Sequence, residues 1–179
     1  MATSSLDDPS VLRFTLNTSS GMPKGTMNIA SNVEVQNSGK TFRIGKLTGS
    51  GALGGGCTFS NGTSVGANTW QVGNDANWGC SVKVTSNSNL VKLGTGKITW
   101  SGVNTNTGTT TIKEGELCIT TSGKLGTGKL TIAQGATFSG ANSTSKQLEN
   151  ASVEVNGTLR PGSYSGAFSG SLFFGGKNV

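Results

Sequence analysis

The chain has 179 residues, 29 of them Gly, with 32% hydrophobic and 12% charged residues, 3 Pro and no His. That length suits one domain, and so little charge and proline argues against a disordered tail. The Gly, Ser, Thr and Asn that fill the remainder suit short strands joined by tight turns. Fourteen basic against eight acidic residues give a formal charge of +6. The basic residues stand singly, without the clustered footprint that nucleic-acid binding needs, so no nucleic-acid partner is expected.

At the N-terminus, "MATSSLDDPSVLRFTL" carries Asp7 and Asp8 where a signal peptide needs an unbroken apolar core. No later run approaches the ~20 apolar residues of a membrane helix. The chain is therefore expected not to target itself: it is cytosolic, or it is part of a longer secreted precursor and meets a membrane only through an anchor or barrel outside these residues. Residues 27–179 are expected to form a repetitive body, and residues 1–26 an N-terminal segment able to cap one end of it.

Along that body no stretch sustains apolar residues at i, i+3, i+4 and i+7, whereas short alternating runs recur. They predict strands at Asn32 to Gln36, Thr41 to Leu47, Asn68 to Val72, Ser81 to Thr85, Lys97 to Trp100, Thr109 to Ile112, Leu117 to Thr120, Lys129 to Ile132, Ala151 to Val155 and Ser171 to Phe174. The fold class is all-β.

Internal repetition narrows it further. "LGTGKITW" at Leu93 to Trp100 returns as "LGTGKLTI" at Leu125 to Ile132. Gly115 precedes Leu117, Gly135 precedes Phe138 and Gly157 precedes Leu159, each glycine following a predicted strand. Strand, glycine corner, strand, with no helices for crossovers, describes a single-stranded parallel β-helix. Coils of roughly 20 to 25 residues would give about seven or eight of them, stacked about 4.8 Å apart. The repeated octapeptide is expected to occupy the same place in two coils. Ile98 with Trp100, and Leu130 with Ile132, would share the inner face by the period of two.

Catalytic chemistry finds little to work with. Cys57, Cys80 and Cys118 form no C-x-x-C and have no His to join, so neither an ordinary zinc site nor a Cys/His pair is assembled. Cys57 and Cys80 are read as stacked buried thiols or as a disulfide. Glu114 and Glu116 form the tightest carboxylate pair of the body, and a solvated strand edge accounts for them more simply than acid/base catalysis. "GKLGTGKL" at Gly123 to Leu130 mimics a phosphate loop but ends in Leu130 instead of a hydroxyl and leads into a strand. "SGKT" at Ser38 to Thr41 has Glu34 where the first Gly belongs. No nucleotide, metal or cofactor is expected, and no catalytic residue is assigned.

Among binding features, Trp70, Trp78 and Trp100 could stack on sugars, though core packing is the plainer account. "TNTGTTTI" at Thr105 to Ile112 could present a hydroxyl-bearing face, though Thr favours strands in any case. The sequons at Asn61, Asn142, Asn150 and Asn156 follow from composition, and turn chemistry explains the Asn residues.

The segment "NLVKLGTGKITWSGVNTNTGTTTIKEGEL", Asn89 to Leu117, resembles the autotransporter-associated β-strand repeat, also called the passenger-associated transport repeat. The positions that carry the likeness are Lys92, Gly94, Thr95, Gly96, Ile98, Ser101, Gly102, Asn104, Thr107, Gly108, Thr110, Ile112, Gly115 and Leu117. Stretches such as "FRIGKLTGSGALGG" and "VNGTLRPG" are similar to the surroundings of such repeats in passenger domains of the AIDA and pertactin kind, so the likeness spans about Ser31 to Gly162. Asn106 stands where the family usually has an aromatic residue, which puts an outward aromatic contact there in question. The resemblance implies a right-handed parallel β-helix from a secreted or cell-surface bacterial protein. Such segments support passenger folding during export and act as a stalk or a contact surface toward host or bacterial glycans and proteins. The alternative is a fragment of a polysaccharide-processing or glycan-binding β-helix whose active coils lie outside this chain.

Overall fold

A computed structural model describes residues 11–16, 18–55, 66–140, 148 and 152–161. The described residues contain no helix. Their strands in the first half are β1 (Leu12–Leu16), β2 (Met22–Ile29), β3 (Val33–Asn37), β4 (Thr41–Gly49), β5 (Ala52–Gly55), β6 (Asn68–Val72), β7 (Trp78–Cys80) and β8 (Lys83–Val84). The second half adds β9 (Ser88–Lys92), β10 (Lys97–Trp100), β11 (Thr110–Ile112), β12 (Glu116–Ile119), β13 (Leu130–Ile132), β14 (Thr137–Gly140), β15 (Val153–Val155) and β16 (Thr158–Pro161).

Every pairing among them is parallel, and each joins a strand to its counterpart one turn away. Three sheets result: β1-β3-β5-β8, β16-β14-β12-β10-β7, and the seven-stranded β15-β13-β11-β9-β6-β4-β2. The chain is a parallel β-solenoid. Seven strands in one sheet enclose about six turns, fewer than the seven or eight expected. One cause is an enlarged early turn: the stretch of chain from Phe42 to its partner Trp70 is longer than that from Trp70 to Leu90 or from Leu90 to Thr110.

Strand alternation builds the core as columns running along the axis. In the seven-stranded sheet, Phe42, Trp70, Leu90, Thr110, Leu130 and Val153 are successive partners, and beside them run Ile44, Val72, Lys92, Ile112, Ile132 and Val155. In the second sheet Trp78, Ile98, Leu117, Phe138 and Leu159 align. In the third, Phe14, Val35, Leu53 and Val84 do so. The mid-column members are buried, whereas Phe14 and Val155, at the two ends, stay 41% and 40% exposed. Burial of side chains this size is worth about 1.5–3 kcal/mol each, so the middle turns hold most of the stabilising area.

Of the ten expected strands, Asn68–Val72 and Lys97–Trp100 have the expected bounds. Seven others shift their ends, as where Thr41 to Leu47 extends to Gly49 and Ser81 to Thr85 shortens to Lys83–Val84. The tenth, Ser171 to Phe174, lies outside the described residues. The segment expected as a cap contributes β1 and the start of β2, both hydrogen-bonded into the first turn, so the expected boundary at 26/27 falls inside β2.

Candidate functional site

The most chemically specific part of the molecule is the corner between the seven-stranded and five-stranded sheets. Gly73, Gly94, Gly115 and Gly135 each stand between a strand of the first sheet and the next strand of the second, with φ of +122°, +74°, +63° and +78°. Only Gly adopts such angles without strain. At Gly115 the reason is also space, since a Cβ there would lie 2.6 Å from the carbonyl oxygens of Gly94, Thr95 and Gly96 in the turn before. Gly157 holds the equivalent place between β15 and β16 without a positive φ.

The two copies of the octapeptide do not occupy equivalent places. Leu93 to Trp100 turns this corner and becomes β10 of the five-stranded sheet, whereas Leu125 to Ile132 turns a different corner and becomes β13 of the seven-stranded sheet. The offset from Leu93 to Leu125 is longer than a full turn, such as Thr110 to its partner Leu130, and shorter than two. The one-coil-earlier counterpart of the second copy is instead "TNTGTTTI", whose Thr110 and Ile112 pair with Leu130 and Ile132. The octapeptide specifies a local event, a tight glycine bend followed by a strand, which the chain uses at two corners.

Lys92, at the end of β9, is the unexpected component. Its side chain is fully buried, in a column where its partners are Val72 and Ile112. Its ammonium donates to the carbonyl oxygens of Leu93 at 3.0 Å and Gly94 at 2.5 Å in its own corner, and of Glu114 at 3.0 Å in the next. Three N–H donors meet three acceptors. Burial pulls its pKa from 10.5 to about 8, against the opposing charges of Glu114 and Asp75, so the amine is protonated at neutral pH.

Asn and Asp side chains lace the turns together at this corner and at the entry to the seven-stranded sheet. Asp75 Oδ1 accepts the backbone N–H of Thr95 at 3.1 Å and its hydroxyl at 3.0 Å, and these bonds hold the carboxyl below its ordinary pKa. Asn77 accepts from Lys97 N–H at 2.7 Å, and Asn89 from Thr109 N–H at 2.8 Å. Each bond spans one turn. Sequence reasoning assigns these Asn residues to turn chemistry alone; the signal that could have found their role is the constant spacing of 20 to Thr95, Lys97 and Thr109.

All eight residues singled out from the repeat motif lie at structural points of the turns. Lys92, Gly94 and Gly115 form the corner just described. Gly96, Gly102 and Gly108 pass so close to the carbonyls of Ala76, Val82 and Ser88 that no Cβ fits. Asn104, buried, accepts the Val84 N–H at 2.7 Å. Leu117 is fully buried in its column. Asn106, where an outward aromatic contact was in question, points inward: it is fully buried and donates to Ser88 O at 2.9 Å.

Other candidates resolve individually. Trp70, Trp78 and Trp100 are 0%, 7% and 0% exposed, so they pack the core and present no sugar-stacking face. Trp70 meets Phe42 edge-on at 6.1 Å and donates Nε1–H to Gly54 O. Glu114 lies in the corner bend and Glu116 in β12. Glu116 pairs with Lys97 at 2.7 Å and accepts from Ser139 at 2.6 Å. Burial would raise its pKa, but these bonds and the charges of Lys97 and Arg160 hold it below 4.5. Cys57 lies outside the described residues, so neither reading of its relation to Cys80 is addressed. Cys80 and Cys118 are buried, and burial pushes Cys80 up to about 12, leaving an inert thiol. In the stretch that mimics a phosphate loop, Gly126 and Gly128 lie against the backbone carbonyls of Asn106 and Gly108 one turn earlier.

No family model, curated protein or solved structure matches the chain. The family likeness of Asn89 to Leu117 therefore rests on its sequence motif.

Proposed function

We propose that this chain is a non-catalytic segment of an exported bacterial surface protein, a rigid solenoid stalk or contact surface of the autotransporter-passenger kind. The observation that supports this best is where the repeat-motif residues sit. Lys92, Gly94, Gly96, Gly102, Asn104, Gly108, Gly115 and Leu117 all bend a corner, fill a column or tie one turn to the next. A motif made wholly of such residues defines a scaffold, and a scaffold roughly 30 Å long at about 4.8 Å per turn serves as a spacer. Its partners in this reading are glycans or proteins of a host or neighbouring cell surface, met by the outward side chains of the sheets, with no cofactor involved.

The test is localisation followed by an assay for polysaccharide cleavage. Antibodies raised against the purified chain should label intact source cells, and the gene should run on to an export signal and a membrane anchor or barrel. Labelling only after the cells are broken, with a reading frame that carries no export signal, would sink the surface reading. Cleavage of a polysaccharide by the purified chain would sink the non-catalytic one.

A further inference from the structure

At three of the four positive-φ corners between the seven-stranded and five-stranded sheets, the core residue that ends the preceding strand is aliphatic: Val72 before Gly73, Ile112 before Gly115 and Ile132 before Gly135. At the remaining corner it is Lys92, equally buried. Packing alone does not ask for an amine there, since neighbouring turns fill the same column with branched hydrocarbon. The corner does offer an unusual set of acceptors. Gly94 bends with φ of +74°, and the carbonyls of Gly94, Thr95 and Gly96 turn toward Gly115 of the following turn. The oxygens of Leu93, Gly94 and Glu114 then converge on one point within 3.0 Å, the point that Lys92 Nζ occupies.

We propose that this corner is a binding cage for a primary ammonium ion, occupied by the chain's own Lys92 and open to a free alkylammonium ion once that side chain is shortened. Three carbonyl oxygens supply the recognition, one for each N–H of an R–NH3+ group. Two of them belong to one turn and the third to the next, so the bound cation fastens consecutive turns. Asp75 and Glu114 are the acidic residues whose charge favours the cation there. The inference rests on this geometry and is independent of the export reading.

Replacing Lys92 by Ala removes three carbons and the nitrogen, the outline of propylammonium. K92A should melt about 10 °C below the wild type. Propylammonium chloride at ten times its dissociation constant should restore about 4 °C, while leaving the wild type, whose cage is filled, unmoved. Trimethylpropylammonium, with the same chain and charge but no N–H, should restore nothing. Equal rescue by both cations, or by neither, overturns the proposal. Should K92A fail to fold, its refolding yield is compared in the two salts with the same outcomes. The wild type provides a separate check by nuclear magnetic resonance with 15N-labelled lysine. At neutral pH one lysine ammonium should exchange its protons slowly with water, and its signal should vanish in K92M. Fast exchange at every lysine would also overturn the cage.

Discussion

The turns between Asn68 and Gly140 and those between Leu12 and Gly55 are built from the same three-sided plan but not with the same regularity. In the later group, the successive partners Trp70, Leu90, Thr110 and Leu130 of the seven-stranded sheet are evenly spaced along the chain, and Trp78, Ile98, Leu117 and Phe138 of the five-stranded sheet keep nearly the same interval. In the earlier group the interval varies: the step from Val35 to Leu53 is shorter than the step from Phe14 to Val35, and the step from Phe42 to Trp70 is longer than either. There the long strands β2 and β4, of 8 and 9 residues, replace the pairs of short strands, and β2 shifts register between Met22 and Thr26. The difference lies in the corner. From Gly73 to Gly135 a positive-φ glycine breaks the strand at each turn, and Asn or Asp side chains bind turn to turn. Before it, β4 runs straight through the equivalent place, and the positive-φ glycines Gly39 and Gly49 lie just before β4 and at its end.

Substitutions can test whether the regular turns hold the stability. Phe138 and Phe14 are both column members facing the axis, but Phe138 is fully buried between Leu117 and Leu159 and Phe14 closes its column at 41% exposure. F138A should cost about 3–5 kcal/mol in denaturant unfolding. F14A should cost about 1 kcal/mol, because much of its surface is already hydrated. Equal costs would mean that the first turn is as tightly held as the middle.

Next in size come the corners themselves. G115A forces a side chain into φ of +63° and against three carbonyls at 2.6 Å, and should cost about 3 kcal/mol. G135A shares the angle, φ +78°, but its Cβ would meet nothing within 4 Å. It should cost about 1 kcal/mol, the backbone contribution alone. The pair separates angular strain from crowding in a way that neither variant does singly.

A smaller contrast tests the inter-turn hydrogen bonds. Asn104 accepts the buried Val84 N–H at 2.7 Å, while Asn37 in the early turns donates to Thr18 O and Lys40 O at 3.4 and 3.2 Å and accepts a Ser38 N–H that also reaches Leu16 O. N104A strands a buried donor and should cost about 2 kcal/mol, against about 1 kcal/mol for N37A. Hydrogen exchange at Val84 N–H should quicken in N104A.

Much of this was legible in the sequence, and the omissions have physical causes. Short alternating runs and glycine corners identify the solenoid, because a period of two and an enforced bend are both written locally. The strands Asn68–Val72 and Lys97–Trp100 carry enough β-branched and aromatic residues to set their own limits. β7, with its Gly79 between Trp78 and Cys80, and β2, with Pro23 and Gly25, do not; they are strands because a neighbouring turn pairs with them. The octapeptide misled for a related reason. Sequence identity records the local bend, whereas the place in the coil is set by partners a full turn away, and these are dissimilar in sequence. Lys92 was legible as a motif position but not as a buried cation, since a lysine at a strand end reads as exposed until the next turn's carbonyl arrives above it.

The smallest effect belongs to the ion pair on the five-stranded face, where Lys97 of one turn meets Glu116 of the next at 2.7 Å. Glu116 keeps partial contact with solvent, so the pair is screened and E116Q should cost under about 1 kcal/mol near neutral pH. Its pH dependence has a definite sign. The folded state holds Glu116 below its usual 4.5 through Lys97, Ser139 and the nearby Arg160, so the unfolded chain takes up its proton first as the solution is acidified. The carboxylate's contribution is then complete above the unfolded pKa and lost as pH falls through the folded one. Melting temperatures of the wild type and E116Q should therefore stand apart at pH 6 and draw together as pH falls below 4.5. A gap that stays undiminished throughout acid titration would place the cost of E116Q in the hydrogen bond from Ser139, which the amide keeps less well, and not in the charge.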